Sequence, residues 1–484
     1  MQTIKQQTIS GFKWTAIANY GQKALSFVTF IIMARLLEPR AFGLFAMAFI
    51  VIDGFGLFKN LGIDTALIQR KEDIERASHT AFWMFPAIGI LMFTLLCLTA
   101  PLAAIFMREP ALTSILMTLG VIFILGSIEN VPIALLTKEL KFKGLAVREL
   151  VSSILYTLGA ISLAYLDFGV WSLVYAYLLK RISMLILSWS LSGYKPKFIF
   201  DKAIANQLLH FGKFIFGTAL VWFSISNLDN FLVGKKLGAA LLGYYALAFN
   251  ISSLTITHLS SLVARVMYPT YAKLQNDLES IKRISLKIIK TTAIFSIPFG
   301  TGLFLLSKEI VEVVYGEKWL PMVPVLKIFS LCSMILPLVS VSGSIYIACG
   351  KPKWDFYLGF STICLIMLIV PFLIDRFGLI GAALGMTSVR LIIVPVILKL
   401  MEKLVHIYFH EILEAIKPAI LSSLVMSALI LVAKNFMIFQ GGRTWTNVSL
   451  LLGFSMCCAG VYFTCSYFID RKIFQEIKTV ILKT

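Results

Sequence analysis

The sequence predicts an all-α polytopic membrane protein of about fourteen transmembrane helices. They are arranged as two parallel-repeat six-helix bundles with two additional C-terminal helices. Three observations predict this. Of 484 residues, 58% are hydrophobic and 14% charged, against about 25% charged in an ordinary soluble domain, and the mean hydropathy is +0.87. The apolar runs are continuous and each matches one bilayer crossing. One stretch of the N-terminal half returns, without gaps, 200 residues later.

Composition excludes a soluble core, because a chain of this length could not hide so much apolar surface from water. In lipid every backbone polar group needs a partner within the protein, which leaves helices or closed barrels. Barrel strands are short and alternate. The runs here do neither. They fall at 10–34, 41–63, 80–106, 112–137, 146–166, 169–191, 207–233, 240–264, 286–306, 322–349, 355–374, 378–399, 415–434 and 447–469. The connections are short, and the largest on the outer side is expected to be 307–321. Three inner segments, 271–290, 402–416 and 472–483, have an amphipathic pattern suited either to the lipid surface or to a solvated connector.

The repeat lays 13–49 over 213–249. Identical pairs include Lys13/Lys213, Ser26/Ser226, Leu37/Leu237, Gly43/Gly243 and Phe49/Phe249. Six helices separate the copies, so the halves face the same way, an arrangement found in transporters. The expected segments are an N-terminal bundle at 1–200, a second bundle at 201–402, and two helices with a tail at 403–484.

The chain carries 44 Lys+Arg against 25 Asp+Glu, a net charge of +19. In a membrane protein such an excess belongs on cytoplasmic loops, and nucleic acid is not expected as a partner. An even number of spans puts both termini on one side. Arg70, Lys141, Lys143, Lys195, Lys197, Lys282 and Arg283 mark that side as cytoplasmic, with the Lys235–Lys236 pair as the main exception. The first apolar stretch contains Lys13 and Lys23 and lacks a short signal-peptide core, so it is expected to remain. The seven cysteines lie in apolar runs without a C-x-x-C pair, which indicates neither disulfides nor zinc. His406 and His410 stand one helical turn apart, but no third ligand accompanies them, so no metal is expected. There is no Walker loop and no nucleophile elbow. No cofactor is expected, apart from a coupling proton or sodium ion.

Charge at membrane depth is costly and usually faces a cavity or a partner. Lys23, Asp53, Glu129 and Arg390 lie near the middle of their helices. Asp229 stands toward the outer end of its helix, and Lys13, Lys59 and Lys213 in the inner third. The lysines can snorkel to an interface, and Lys23 with Asp53 can form a structural ion pair. Arg390 keeps its charge, and its planar fork suits phosphate. Together these charges lead us to expect a cationic central cleft between the bundles, taking a large anionic substrate. Lys23, Arg390, Lys13, Lys213 and Lys59 are the expected substrate-binding groups. Asp53, Glu129 and Asp229 are the expected ion-coupling groups. Proline at 86, 132, 298, 337, 371 and 395 favours bent helices.

The opening TISGFKWTAIANYGQKALSFVTFIIMARLLEPRAFGLFAMAFIVID resembles the polysaccharide-exporter (Wzx-type) flippases. HFGKFIFGTALVWFSISNLDNFLVGKKLGAALLGYYALAFNI, VMYPTYAKLQND, VYGEKWLPMVPVLKIFSL and GLIGAALG extend the likeness over nearly the whole chain. The branch it resembles most handles colanic-acid-type and teichuronic-acid-type repeat units. The resemblance implies the multidrug/oligosaccharidyl-lipid/polysaccharide exporter fold. It implies flipping of undecaprenyl-pyrophosphate-linked oligosaccharide across the bacterial cytoplasmic membrane, with the polysaccharide polymerase and other assembly proteins as candidate partners. No bond is broken, so an enzyme is not expected. The rival expectations are a cation-coupled multidrug exporter of the same fold and a membrane glycosyltransferase or polymerase.

Overall fold

The structure, a computed structural model, describes residues 4–60, 63–70, 72–275, 277–436 and 445–471. Among them the regular structure is helical throughout. In order the helices are α1 (Ile4–Leu36), α2 (Pro39–Asn60), α3 (Ile63–Gln69), α4 (Ile74–Met107), α5 (Ala111–Lys138), α6 (Phe142–Tyr165), α7 (Val170–Ser192) and α8 (Lys202–Leu237). They continue with α9 (Ala239–Ser252), α10 (Leu254–Lys273), α11 (Leu278–Leu305), α12 (Ser307–Ile310), α13 (Val323–Ile335), α14 (Ser342–Ala348), α15 (Pro352–Val405), α16 (Phe409–Phe436) and α17 (Trp445–Ile469). Most expected spans lie along a single helix, but 240–264 is divided between α9 and α10, 322–349 between α13 and α14, and 41–63 runs past the end of α2. Among the described residues, ten stretches are long and apolar enough to cross a membrane on those grounds alone. One of them, α15, carries two expected spans, joined at Gly378, whose φ of 56° is tolerated because glycine has no Cβ.

The chain forms two compact units, residues 1–243 and 244–484. In the first, α4 and α5 lie close because Gly89 presents no side chain to the Phe123 carbonyl and to Ser127. Without a hydrophobic force between helices in lipid, such close approach and interhelical hydrogen bonds hold the bundle. α1 and α6 are joined in this way. Gln22 donates to Glu149 at 3.1 Å and to Ser153 at 3.2 Å, and Thr29 bonds Thr157 at 2.6 Å. The segment between α7 and α8 is strapped to the start of α4. Trp83 Nε1 donates to the Lys197 carbonyl at 3.0 Å, and Lys197 Nζ pairs with Glu75 at 2.6 Å. The Tyr194 hydroxyl meets His79 Nδ1 at 2.9 Å. Asp201 then caps α8, accepting from the amides of Ala203 and Ile204.

The two copies of the sequence repeat break at matching places. α1 gives way to α2 at 37–38, and α8 to α9 at Gly238.

In the second unit, α11 runs unbroken from Leu278, so the segment 271–290 is not a separate interfacial helix. Its apolar stripe, Ile281, Ile289, Ala293 and Ile297, is core, packed with Val405, Ile407 and Ile412. The segment 402–416 is likewise divided between the end of α15 and the start of α16, and 472–483 lies outside the described residues. The expected outer loop 307–321 is a packed cap of short helical turns that buries Tyr315 and Trp319. Three ion pairs tie the last two helices to this framework. Lys282 of α11 meets Glu411 of α16 at 2.8 Å, Lys290 of α11 meets Asp470 beyond α17, and Lys434 of α16 meets Glu309 of α12 at 2.8 Å.

Candidate functional site

In the first unit, polar groups gather where α5, α6 and α7 meet. Glu129 is 2% exposed and Arg148 is 5% exposed. The Arg148 guanidinium bonds the Glu129 carboxylate and reaches Glu149 at 2.7 Å. The Ser188 hydroxyl adds a bond to Glu129 at 3.1 Å. An acid at this depth is retained because the opposite charge and the hydroxyl replace its lost hydration. Glu129 is therefore held in a structural network.

Glu129 also faces a cavity of about 250 Å³, together with Asp64, Asn130 and Arg181. The described partners of Arg181 are soft. They are the Met184 sulfur at 3.9 Å and the Tyr177 ring at 5.9 Å. Its Nε is buried without a hydrogen bond. The neighbouring Lys180 lies 6.0 Å from the Tyr156 ring. An aromatic face attracts a cation without supplying an opposite charge, so the contacts at Lys180 and Arg181 suit an anion. Both were missed as candidates from sequence. The signal was present: YLLKRIS stands halfway along α7.

The expected site residues divide as follows. Lys23 is exposed on α1, with Nζ 5.9 Å from the Tyr20 ring. Asp53 is exposed on α2, without a hydrogen bond or ion pair among the described residues. Asp229 is 1% exposed on α8 and accepts from the Asn230 amide at 2.8 Å. The side chains of Lys13, Lys59 and Lys213 lie outside the described residues. Arg390 belongs to the second unit. It is half-buried on α15, with its guanidinium 5.1 Å from the Phe249 ring and no carboxylate partner among the described residues. His406 ends α15 in the left-handed region and His410 stacks on Tyr408. Among the described residues no cluster could hold a metal.

Buried intramembrane charge on a bundle of kinked and broken helices defines the class: a polytopic helical transporter-type membrane protein. The chain belongs to the polysaccharide biosynthesis protein family, whose profile matches residues 32–324. It is 28% identical over 365 residues to the teichuronic acid biosynthesis protein TuaB of Bacillus subtilis (strain 168), covering 74% of each chain. It is 27% identical over 395 residues to the lipopolysaccharide biosynthesis protein WzxC of Escherichia coli (strain K12), covering 81% of this chain and 80% of that one. Its fold matches the inward closed conformation of the lipid II flippase MurJ with a TM-score of 0.73 at 16% identity, over 95% of this chain and 99% of that one. The family, the branch and the helical exporter fold expected from the sequence are those found.

Proposed function

We propose that the protein is a flippase for undecaprenyl-pyrophosphate-linked oligosaccharide repeat units. It carries them from the inner to the outer leaflet of a bacterial cytoplasmic membrane for cell-surface polysaccharide biosynthesis, with both termini cytoplasmic. Membership of a polysaccharide biosynthesis family supports a glycan cargo. The observation that carries the reading is a guanidinium at membrane depth with no ion-paired carboxylate among the described residues, at Arg181 in one unit and Arg390 in the other. A guanidinium left in that condition suits a diphosphate, whose oxygens take two of its donors at once. The same observation disfavours a site for organic cations.

In this mechanism two repeats, at 1–200 and 201–402, rock about the substrate. Lys23, Lys180, Arg181 and Arg390 attract the diphosphate, and the polyprenyl tail stays in lipid. Lys13, Lys59 and Lys213 extend the cationic surface. Ion coupling falls to Asp53, the exposed carboxylate, ahead of Glu129, which Arg148 already engages, and Asp229. No covalent bond changes.

The test places the purified chain in proteoliposomes with a fluorescent lipid-linked oligosaccharide added to one leaflet. A membrane-impermeant quencher then reports the other leaflet. Transbilayer movement above that of protein-free vesicles, reduced by Arg181→Gln and Arg390→Gln, is expected. Movement equal to that of protein-free vesicles overturns the reading, as does new glycosidic product formed by the chain alone.

A further inference from the structure

The Lys235–Lys236 pair, which breaks the charge asymmetry of the sequence, stands at one end of a groove that the site above does not use. The groove lies in the first unit between α2, α4 and α8. It has a volume of about 530 Å³ and only apolar walls, among them Val51, Phe55, Leu95, Leu220, Phe223 and Phe231. Leu95 and Leu220 are exposed at its rim. Gly54 keeps it clear, since a Cβ there would come within 3.3 Å of the Phe223 ring.

Length and chemistry both point to an acyl chain. From Leu220 to Phe231 the wall on α8 runs about 16 Å at 1.5 Å per residue. One leaflet of hydrocarbon is about 15 Å, half of the roughly 30 Å core. At the end nearest the α8–α9 turn the apolar wall becomes cationic. Phe231 stacks on Phe106 with centroids 5.6 Å apart, and Lys235 Nζ lies 3.7 Å from the centre of that second ring. Phe231 and Lys235 are four residues apart on α8 and share a face. Lys235 is exposed and has no carboxylate partner among the described residues. The result is an apolar slot one leaflet deep, closed by an ammonium at headgroup level.

We propose that this groove is a binding site for one anionic glycerophospholipid, with an acyl chain between α2, α4 and α8 and the phosphate at Lys235. A volume of this size is that of a pocket for a drug-sized molecule. It admits a single acyl chain and falls well short of a polyprenyl tail, so the occupant is a resident lipid and not the transported one. A net negative headgroup is favoured because a zwitterionic lipid already pairs its phosphate with its own ammonium. The site lies in the leaflet that contains the α1–α2 and α8–α9 turns, whichever side of the membrane that is.

Native mass spectrometry of the full chain in mild detergent tests this, with phosphatidylglycerol and phosphatidylcholine of matched chains. The wild type retains one phosphatidylglycerol about fivefold more than phosphatidylcholine, as attraction of an anionic headgroup to a basic surface residue implies. Lys235→Gln brings the two lipids level without changing the unfolding temperature. Leu95→Trp, which fills the groove from α4, removes both adducts, and Leu220→Trp does the same from α8 should the first variant fail to fold. Undiminished selectivity in Lys235→Gln overturns the proposal. So does full retention in a folded groove-filled variant, or displacement of the lipid by equimolar undecaprenyl phosphate.

Discussion

Gly43 and Gly243, separated by 200 residues of sequence, stand against each other at the starts of α2 and α9. A Cβ on Gly243 would lie 3.3 Å from the Gly43 amide nitrogen and would overlap the Pro39 carbonyl. A Cβ on Gly43 would overlap the Ala239 carbonyl. Residues 39 and 239 are themselves equivalent in the repeat. The contact is thus reciprocal, as a two-fold interface between copies is, and small residues let the backbones meet without water to drive them together.

Replacing either glycine forces these backbones apart. Gly43→Val and Gly243→Val should each destabilise the protein by about 1–3 kcal/mol, the usual range for overpacking. The double variant should cost clearly less than the sum, because the first substitution already opens the shared contact. Thermal unfolding in detergent measures all three. Strictly additive losses would show that the two glycines do not share a contact.

The buried pair of Glu129 and Arg148 gives a second expectation. Arg148→Met leaves the buried Glu129 carboxylate uncompensated among α5, α6 and α7, at a cost of about 3–5 kcal/mol, and Glu129→Gln should cost less because Arg148 keeps its pair with Glu149. Combining Glu129→Leu with Arg148→Met should recover most of that stability. Unfolding temperatures equal to wild type in both single variants would remove the network from the framework of the protein.

Lys180 and Arg181 should act on transport and not on folding. Lys180→Gln with Arg181→Gln should lower substrate movement in proteoliposomes at least about tenfold, given two charge-assisted contacts with a diphosphate. Protein yield should hold. Arg390→Lys should retain less activity than a simple charge count suggests, because the ammonium loses the planar fork and the stacking on Phe249. Unchanged rates at normal protein levels would argue against both positions.

Asp277 opens α11 and accepts from the Ser280 amide at 3.0 Å. Its hydrogen bonds with Ser280 hold its carboxyl below the ordinary carboxylate range. A lowered folded-state value stabilises the protein above the ordinary carboxylate pKa, and that contribution is lost as pH falls through the lowered value. Asp277→Asn keeps the cap but should flatten the acid limb of a plot of unfolding temperature against pH. An unaltered limb would refute the link.

The spans were legible because bilayer thickness sets the length of an apolar run, and helix is the state that satisfies the backbone within one run. The site was legible only in part. Glu129 and Arg390 announced themselves as charges at mid-helix. Lys180 and Arg181 offered the same signal, while Arg148 lay near a predicted span edge, where charge is ordinary. Its burial depends on α5 and α7 closing over it, a tertiary event that a one-dimensional reading does not carry. The cap at 307–321 was read as a loop for a related reason. Its Glu309, Glu312 and Glu317 interrupt the apolar pattern, whereas Trp319 is fully buried and Glu309 is engaged by Lys434.

The three ion pairs of the terminal hairpin have a mechanical consequence. Lys282 engages it near the start of α11, Lys290 midway along, and Glu309 just past the far end. A helix gripped near both ends cannot slide past its neighbours by a turn without breaking several charge contacts at once. α11, α16 and α17 should therefore swing as one rigid plank, so that a strain applied at either end of the hairpin is delivered undamped to the other.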